Sequence, residues 1–378
     1  MKILIIEPYP NYHFRSIFNE FDKDNYSIEM VCFKKVPSFR KGSDWEDSSR
    51  HKPISFFKSL LSILNNDVTV FLGVFSPLPK MMILFSLACI LKKRVFIASE
   101  GFKNNSRFRK LFSPLFRCLS IFTEVNILCI GHNSNKDYFN AGFKRSNFYK
   151  FAFAENYLPY PTEEFVRGLA KFNSTDFNVL LVGRLISRKN FAQVIASCNE
   201  IAKKRGVHRN ITIHVAGEGE DLELLKREAE KEPKVELILH GHIDSSGLTT
   251  LYKKAHLFVL PSLYEGWGVV LNNAIHYCLP CLCLDSVRSG NDFLIAQNQN
   301  GRIVSKDELT NALYDFVTMG SEELQLMAKA SREVSKLWSA ECIAFNLANL
   351  LSDNTFIPPE VGPLSRYSLQ EYKSEECN

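Results

Sequence analysis

No stretch of this 378-residue chain is apolar for long enough to cross a bilayer. The longest apolar run without a charge is about "MMILFSLACIL", residues 81–91, where a spanning helix needs about 20. Charge of one sign is scarce too. Lys and Arg number 46 against 41 Asp and Glu, a net charge of +5. That suits an anionic ligand or a membrane surface and is too little to argue for nucleic acid. A second cluster of metal ligands is missing. Cys278, Cys281 and Cys283 stand together in "CLPCLCL", but zinc would need further ligands at suitable spacing, so the stretch reads as a buried strand. Other cysteines sit in apolar runs such as "EMVCF", "LACIL" and "NILCIG", the contexts of reduced, buried thiols in a cytosolic protein. No secretory leader is expected either: "MKILIIEPYP" has one lysine, a short apolar run and then Pro8, which reads as a first β-strand. The expectation is a cytoplasmic protein without repeats of fixed period.

What is present is alternation. The composition, 46% hydrophobic and 23% charged, is that of a globular protein, and the length exceeds what one core normally serves. Strand-like runs ("KILII", "IEMVCF", "VTVFLG", "RVFIAS", "VNILCIG", "FYKFAF") are separated by helix-length segments in the first half. The second half repeats the alternation with "NVLLVG", "ITIHVAG", "VELILHG", "LFVLPS" and "CLCLD". In "NFAQVIASCNEIAKKRG", Phe191, Val194, Ile195, Cys198, Ile201 and Ala202 recur at helical spacing, and Gly206 offers a C-cap. Apolar strands alternating with helices imply parallel sheets covered on both faces. "AENYLPYPTEEF" breaks the series near residues 154–165. The expectation is therefore an α/β protein of two doubly wound, Rossmann-like domains facing across a cleft, at residues 1–160 and 170–345, with a C-terminal segment and tail at 346–378. The Pro-rich tail after Asp353 is expected to lie over the surface.

Open parallel sheets bind ligands beyond the carboxyl ends of their strands. In the second half those ends carry "GRLISRKN" with Gly183, Arg184 and Lys189, "AGEGED" with Gly217 and Gly219, "HGHI" from His240, and "SLYEGWG" with Glu265. Glycines let backbone approach a ligand closely. Arginine offers a planar fork and lysine a point charge to phosphate oxygens. A helix starting near Gly268 would add free N–H groups. Taken singly, a Gly-x-Gly turn is a tight connection and the two cations are surface charges. Their shared place at strand ends points to a diphosphate ligand.

These segments also carry a resemblance. Residues about 178–320, through "VGRLISRKN", "VAGEGEDLELL", "LHGHI", "YKKAHLFVLPSLYEGWGVVLNNAIHYCLPCLCLD" and "NQNGRIV", resemble the donor-binding domain of retaining glycosyltransferases of the GT-B fold, family 4. "NILCIGHNSNKDYFNAGFKRSNFYKFAF" resembles the acceptor-side domain more faintly. The resemblance implies transfer of a sugar, with retention, from a UDP- or GDP-sugar to a saccharide or lipid-linked saccharide acceptor, in bacterial surface polysaccharide synthesis, with no cofactor and no metal. It implies that Arg184 and Lys189 contact the diphosphate, that the loop His240, Gly241 and Ile243 flanks the nucleobase, and that Glu265 meets the sugar hydroxyls. Gly266 and Gly268 would bring that turn close to the donor, Trp267 would pack beneath it, and the N–H groups of Gly268, Val269 and Val270 would cap the phosphate.

Two departures from the family pattern stand out. The pattern places a second glutamate eight residues after the first, on the ribose; here the residue is Asn273. An amide keeps an acceptor but loses the charge. Charged hydrogen bonds contribute about 1.5–3 kcal/mol and neutral ones about 1, so the exchange weakens donor binding about tenfold. Two readings stay open: an active enzyme with altered ribose contacts, or a non-catalytic member that binds nucleotide or a partner. A nucleotide-sugar epimerase of the same architecture fits the "EGWG" turn less well. The second departure is the stretch Gly73, Val74, Phe75, where family members often carry a histidine close to the reacting carbon. Glu100 and His132 at neighbouring strand ends could replace it, or simply shape their turns; His13 could line the acceptor side. The front-face attack described for the family uses the leaving diphosphate as base, so positioning and charge stabilisation dominate. Finally, "GFKNNSRFRKLFSPLFRCLSIF" interleaves Phe102, Phe108, Phe112 and Phe116 with Lys103, Arg107, Arg109, Lys110 and Arg117. It is either an ordinary amphipathic helix or a face for anionic lipid headgroups.

Overall fold

The computed structural model describes residues 1–8, 12–21, 26–33, 52–53, 55–73, 79–101, 107–154, 160–352 and 356–367. The chain divides into two compact units, Met1–Asn156 with Trp338–Asn378, and Tyr157–Leu337.

The first unit runs β1 (Lys2–Glu7), α1 (Tyr12–Phe21), β2 (Ser27–Cys32), β3 (Lys52–Pro53), α2 (Phe56–Asn65), β4 (Val68–Leu72), α3 (Pro79–Ile90), β5 (Arg94–Glu100), α4 (Arg107–Phe122), β6 (Val125–Ile130), α5 (Ser134–Asn140) and β7 (Asn147–Phe151). Its strands form one parallel sheet in the order β3-β2-β1-β4-β5-β6-β7. Ile3 to Ile6, Val68 to Leu72 and Val95 to Ala98 are buried throughout, as strands covered on both faces must be.

The second unit runs α6 (Thr162–Gly168), β8 (Asp176–Val182), α7 (Phe191–Ala202), β9 (Asn210–Ala216), α8 (Leu222–Ala229), β10 (Val235–Gly241), α9 (Ser245–Lys254), β11 (Leu257–Leu260), α10 (Val270–His276), β12 (Cys281–Leu284), β13 (Gly301–Val304), α11 (Leu309–Thr318) and α12 (Ser321–Leu337). The parallel order is β10-β9-β8-β11-β12-β13, so the chain reverses its direction of travel between β8 and β11. That switch point is where doubly wound sheets open a crevice for ligands. The cysteine-rich run behaves as a strand: Cys281 and Cys283 lie on fully buried β12, and burial pushes both thiols up.

Two details differ from the expectations. The last helix, α13 (Ala340–Ser352), packs on α1. Residues from Trp338 onward therefore belong to the first unit, and a boundary at 345 falls inside a helix. The tail is also more than surface covering. Lys150 N–H donates to Ser365 O at 2.9 Å, Leu364 N–H to Lys150 O at 2.7 Å and Tyr367 N–H to Phe148 O at 3.0 Å, so residues 364–367 pair antiparallel with β7. A terminal strand leaves unpaired N–H and C=O groups, and the tail satisfies those of β7 while burying Leu364 and Tyr367.

Candidate active site

Four loops leave the carboxyl edge of the second sheet, after β8, β9, β10 and β11, and backbone hydrogen bonds tie them together. Gly183 N–H donates to Ala216 O at 2.9 Å, Gly217 N–H to Gly241 O at 2.8 Å, Leu185 N–H to Glu218 O at 2.8 Å and Leu263 N–H to Arg188 O at 2.9 Å. The packing explains the glycines of "AGEGED". A Cβ on Gly217, whose φ is +147°, would enter the carbonyl of Gly183, and one on Gly219 the carbonyl of Leu185. These glycines serve the loop stack whatever else they approach.

At the switch point three charged side chains meet. Lys189 is 8% exposed and sits on a 3-10 turn, Ser187–Lys189. Its Nζ lies 2.6 Å from Glu265 Oε2. Arg188 Nη1 lies 3.3 Å from the same oxygen and also donates to Tyr264 O. Ser262 Oγ donates to Oε2 at 3.3 Å. Glu265 is itself held by backbone: its N–H donates to Ser286 O at 3.2 Å, and its carbonyl accepts from Arg288 N–H at 3.2 Å. Among the described residues every side-chain contact of the carboxylate falls on Oε2, and Oε1 is unengaged. Gly268, at φ +81°, lies under this group, and a Cβ there would come within 2.9 Å of Glu265 Cγ.

Below the turn Trp267 is 1% exposed. Its Nε1–H donates to Asn272 Oδ1 at 2.7 Å, and its ring meets Phe293 edge-on. Asn272 is thus engaged in anchoring Trp267. Asn273 follows on the first turn of α10, and its Oδ1 is buried with no partner among the described residues. The N–H groups of Gly268, Val269 and Val270 likewise have no acceptor among the described residues, as expected where a helix begins.

The remaining expected positions lie outside this trio. Arg184 is exposed on the loop after β8 and makes no ion pair among the described residues. His240 is the penultimate residue of β10 and stacks on His214, with Nε2 3.1 Å from His214 Nδ1. Burial first, then the charge of Lys254, hold His240 below the usual histidine range; burial, His240 and Lys254 do the same for His214. Gly241 ends β10 and Ile243 lies in the loop after it, both half-buried. In the first unit Glu100 is the last residue of β5, half-buried and in register with Ile130 of β6, and His132 follows β6 by two residues. They lie at adjacent strand ends. His13 falls on α1, but its side chain, like Val74 and Phe75, lies outside the described residues. Among the described residues no three His, Cys, Asp or Glu side chains form a metal-binding group.

Sequence reasoning missed Arg188, Ser262 and His214. Arg188 stood in the same strand-end segment as Lys189, so the argument that selected one applied to both. Ser262 and His214 had no signal short of the fold.

The chain resembles a lipopolysaccharide outer core galactosyltransferase, WaaB, in its apo form, with a TM-score of 0.63 at 15% identity over 93% of this chain and 99% of that one. It resembles Anabaena HepE in complex with UDP with a TM-score of 0.62 at 14% identity, over 93% and 100% of the two chains. These likenesses establish a two-domain GT-B architecture. Residues 163–334, within the second unit, match the model of the family "Glycosyl transferases group 1". Among curated proteins, 136 residues are 30% identical to the GtfA subunit of a UDP-N-acetylglucosamine–peptide N-acetylglucosaminyltransferase of Streptococcus agalactiae, over 36% of this chain and 26% of that protein. A further 25% identity over 248 residues links the chain to the UDP-Gal:alpha-D-GlcNAc-diphosphoundecaprenol alpha-1,3-galactosyltransferase of Escherichia coli, over 62% of each. The matched stretches span less than two thirds of either relative.

Proposed function

We propose that the protein is a retaining glycosyltransferase that moves a sugar from a UDP-sugar to a saccharide or lipid-linked saccharide acceptor, in the cytoplasm and in bacterial surface polysaccharide synthesis. The observation that carries this is the meeting of Lys189 and Glu265 at 2.6 Å. A cation suited to a diphosphate and a carboxylate suited to sugar hydroxyls sit within reach of one small ligand at the switch point. Arg188 and Ser262 fix Glu265 through Oε2, which leaves Oε1 to accept from the sugar. Arg184, exposed beside them, is free to swing onto the diphosphate, and the unengaged N–H groups from Gly268 to Val270 suit its oxygens. The choice of uridine rests on the UDP-sugars in the names of both curated relatives.

In the reaction the acceptor hydroxyl oxygen bonds to the anomeric carbon on the face from which UDP departs. The bond from that carbon to the diphosphate oxygen breaks, and the departing diphosphate takes the acceptor's proton. Negative charge grows on the diphosphate, so Arg184, Lys189 and the N–H groups stabilise the transition state more than the ground state. Such a route needs no strong protein base, which makes the absence of a histidine near Gly73 tolerable. Glu100 and His132 then serve on the acceptor side.

Asn273 fits the active reading. Its buried Oδ1 has no partner among the described residues, and a buried acceptor without one is unfavourable; a ribose hydroxyl would supply the donor. The test is incubation with UDP-glucose, UDP-galactose and UDP-N-acetylglucosamine plus acceptors, following UDP release and the anomeric configuration of the product. UDP release with a retained anomer is expected. Nucleotide binding without turnover on any acceptor would favour the non-catalytic reading.

A further inference from the structure

We infer that the outer face of helices α2, α3 and α4 docks on an anionic lipid bilayer. The inference stands apart from the glycosyl-transfer reading, because it uses none of the same residues.

The chain steps from β3 through α2, β4, α3, β5 and α4 to β6, always toward the same edge of the sheet. Right-handed crossovers put all three helices on one face, and α2 touches α3, which touches α4. They form a single layer. A surface helix normally turns its apolar stripe inward and leaves its outer face polar, yet α2 is apolar on both faces, with Phe56 and Leu60 half-buried against the core. It buries Ser59, Ser62 and Ile63, with Ser62 Oγ donating to Glu29 at 2.8 Å, and leaves Phe57 76% and Leu61 59% exposed. On α3, Ile83 and Ile90 are more than half exposed; at the end of α4, Ile121 is 65% and Phe122 45% exposed. Half of the exposed large hydrophobic residues among the described ones belong to these helices or the turn after α3. Scattered apolar residues on a surface need no explanation, but a contiguous group marks an interaction site.

Charge selects the occupant. None of the three helices contains Asp or Glu, while Lys58, Lys80 and Arg117 are exposed on them and Lys92 follows α3. A second copy presenting the same cation-rich helices would be repelled. A bilayer containing anionic lipid offers hydrocarbon for the side chains and headgroups for the lysines and arginines. Among the described residues no helix is long and apolar enough to cross a membrane, so the layer would lie in the interface plane.

The test is sedimentation of the full chain with phosphatidylcholine vesicles, with and without phosphatidylglycerol. The expected result is binding to the anionic vesicles that weakens as salt rises. The triple variant Leu61→Glu, Ile83→Glu, Ile121→Glu should bind at least about tenfold more weakly, through lost apolar insertion and repulsion from the headgroups. The alanine triple at the same positions keeps helix propensity and should bind several-fold more weakly, which guards against misfolding of the glutamate variant. Leu326→Glu on α12, 61% exposed in the other unit, should bind as the native chain does. Failure of the native chain to bind anionic vesicles, or equal binding by both triples, would overturn the inference. So would lipid-free dimerisation of the native chain that the triples abolish, since the face would then belong to a second copy.

Discussion

The two units share a strand order around their first strand, and they differ in what covers the sheet. In the second unit, exposed faces are laced with opposite charges: Lys204 with Glu200, Lys226 with Glu223, and Lys336 with Glu333, each pair one helical turn apart. The helix layer of the first unit, from α2 to α4, has cations without acids and apolar side chains pointing outward. Each sheet is finished on its buried side by the same rule, continuous apolar strands. The outer surface is set by what it must meet: water for one unit, and on our inference a lipid surface for the other. The lesson concerns where information sits. Topology follows from the strands, whereas the specialised parts are the strand-end loops of the second unit and the outer helix faces of the first.

That contrast can be broken or sharpened in order of expected effect. The largest effect should come from Lys189→Ala or Glu265→Gln. Each should lower the rate of sugar transfer at least about 100-fold, the scale of losing one preorganised electrostatic contact, while vesicle binding stays unchanged. A joint loss of both would mean that the two regions are not separate devices. Next comes the pair Gly217→Ala and Gly73→Ala. Gly217 has backbone against its Cβ position and Gly73, at φ +90°, has nothing within 4 Å. Urea unfolding should show a loss of about 2–3 kcal/mol for the first, from steric conflict, and about 1 kcal/mol for the second, from backbone strain alone. Equal losses would contradict the stacked-loop account.

Asn273→Glu should tighten UDP binding about tenfold by restoring a charged acceptor, measured by calorimetry. A pH dependence follows from two buried histidines of the second unit. His256 accepts Asn178 N–H on Nδ1 at 2.9 Å, and its Nε2 faces Lys171 O at 2.8 Å; burial lowers its pKa to about 4. Burial lowers His276 to about 4 as well. Both fall below the unfolded value near 6.5, so the unfolded chain binds more protons between those limits. Stability of the second unit should be fully present above about pH 6.5 and decline as pH falls toward 4, as urea midpoints across that range would show.

Much of the fold was legible because its strands are unbroken apolar runs bounded by glycine or by charge. Every strand from β8 to β12 coincides with a run such as "NVLLVG" or "CLCLD". β13 escaped because Arg302 interrupts the run and the strand is half-exposed at the sheet's edge. The pairing of residues 364–367 escaped because a Pro-rich segment carries no strand period, and the partner edge on β7 exists only in the folded state. In the site, the strand-end rule singled out Lys189 and Glu265, which the structure brings together. It gave no account of Arg188 holding the same oxygen of Glu265 as Lys189. The outward apolar residues of α2, Phe57 and Leu61, could be suspected only once burial was known, since "FFKSLLSILN" is equally consistent with either face turned inward.

The most direct test of the central claim is a calorimetric titration of the native chain and Lys189→Ala with UDP, GDP and ADP. The account predicts one nucleotide family, UDP, binding the native chain, with affinity reduced at least about tenfold in the variant by loss of a charged contact. Silence toward all three, or equal affinity in both proteins, would contradict the assignment of this edge as a donor site.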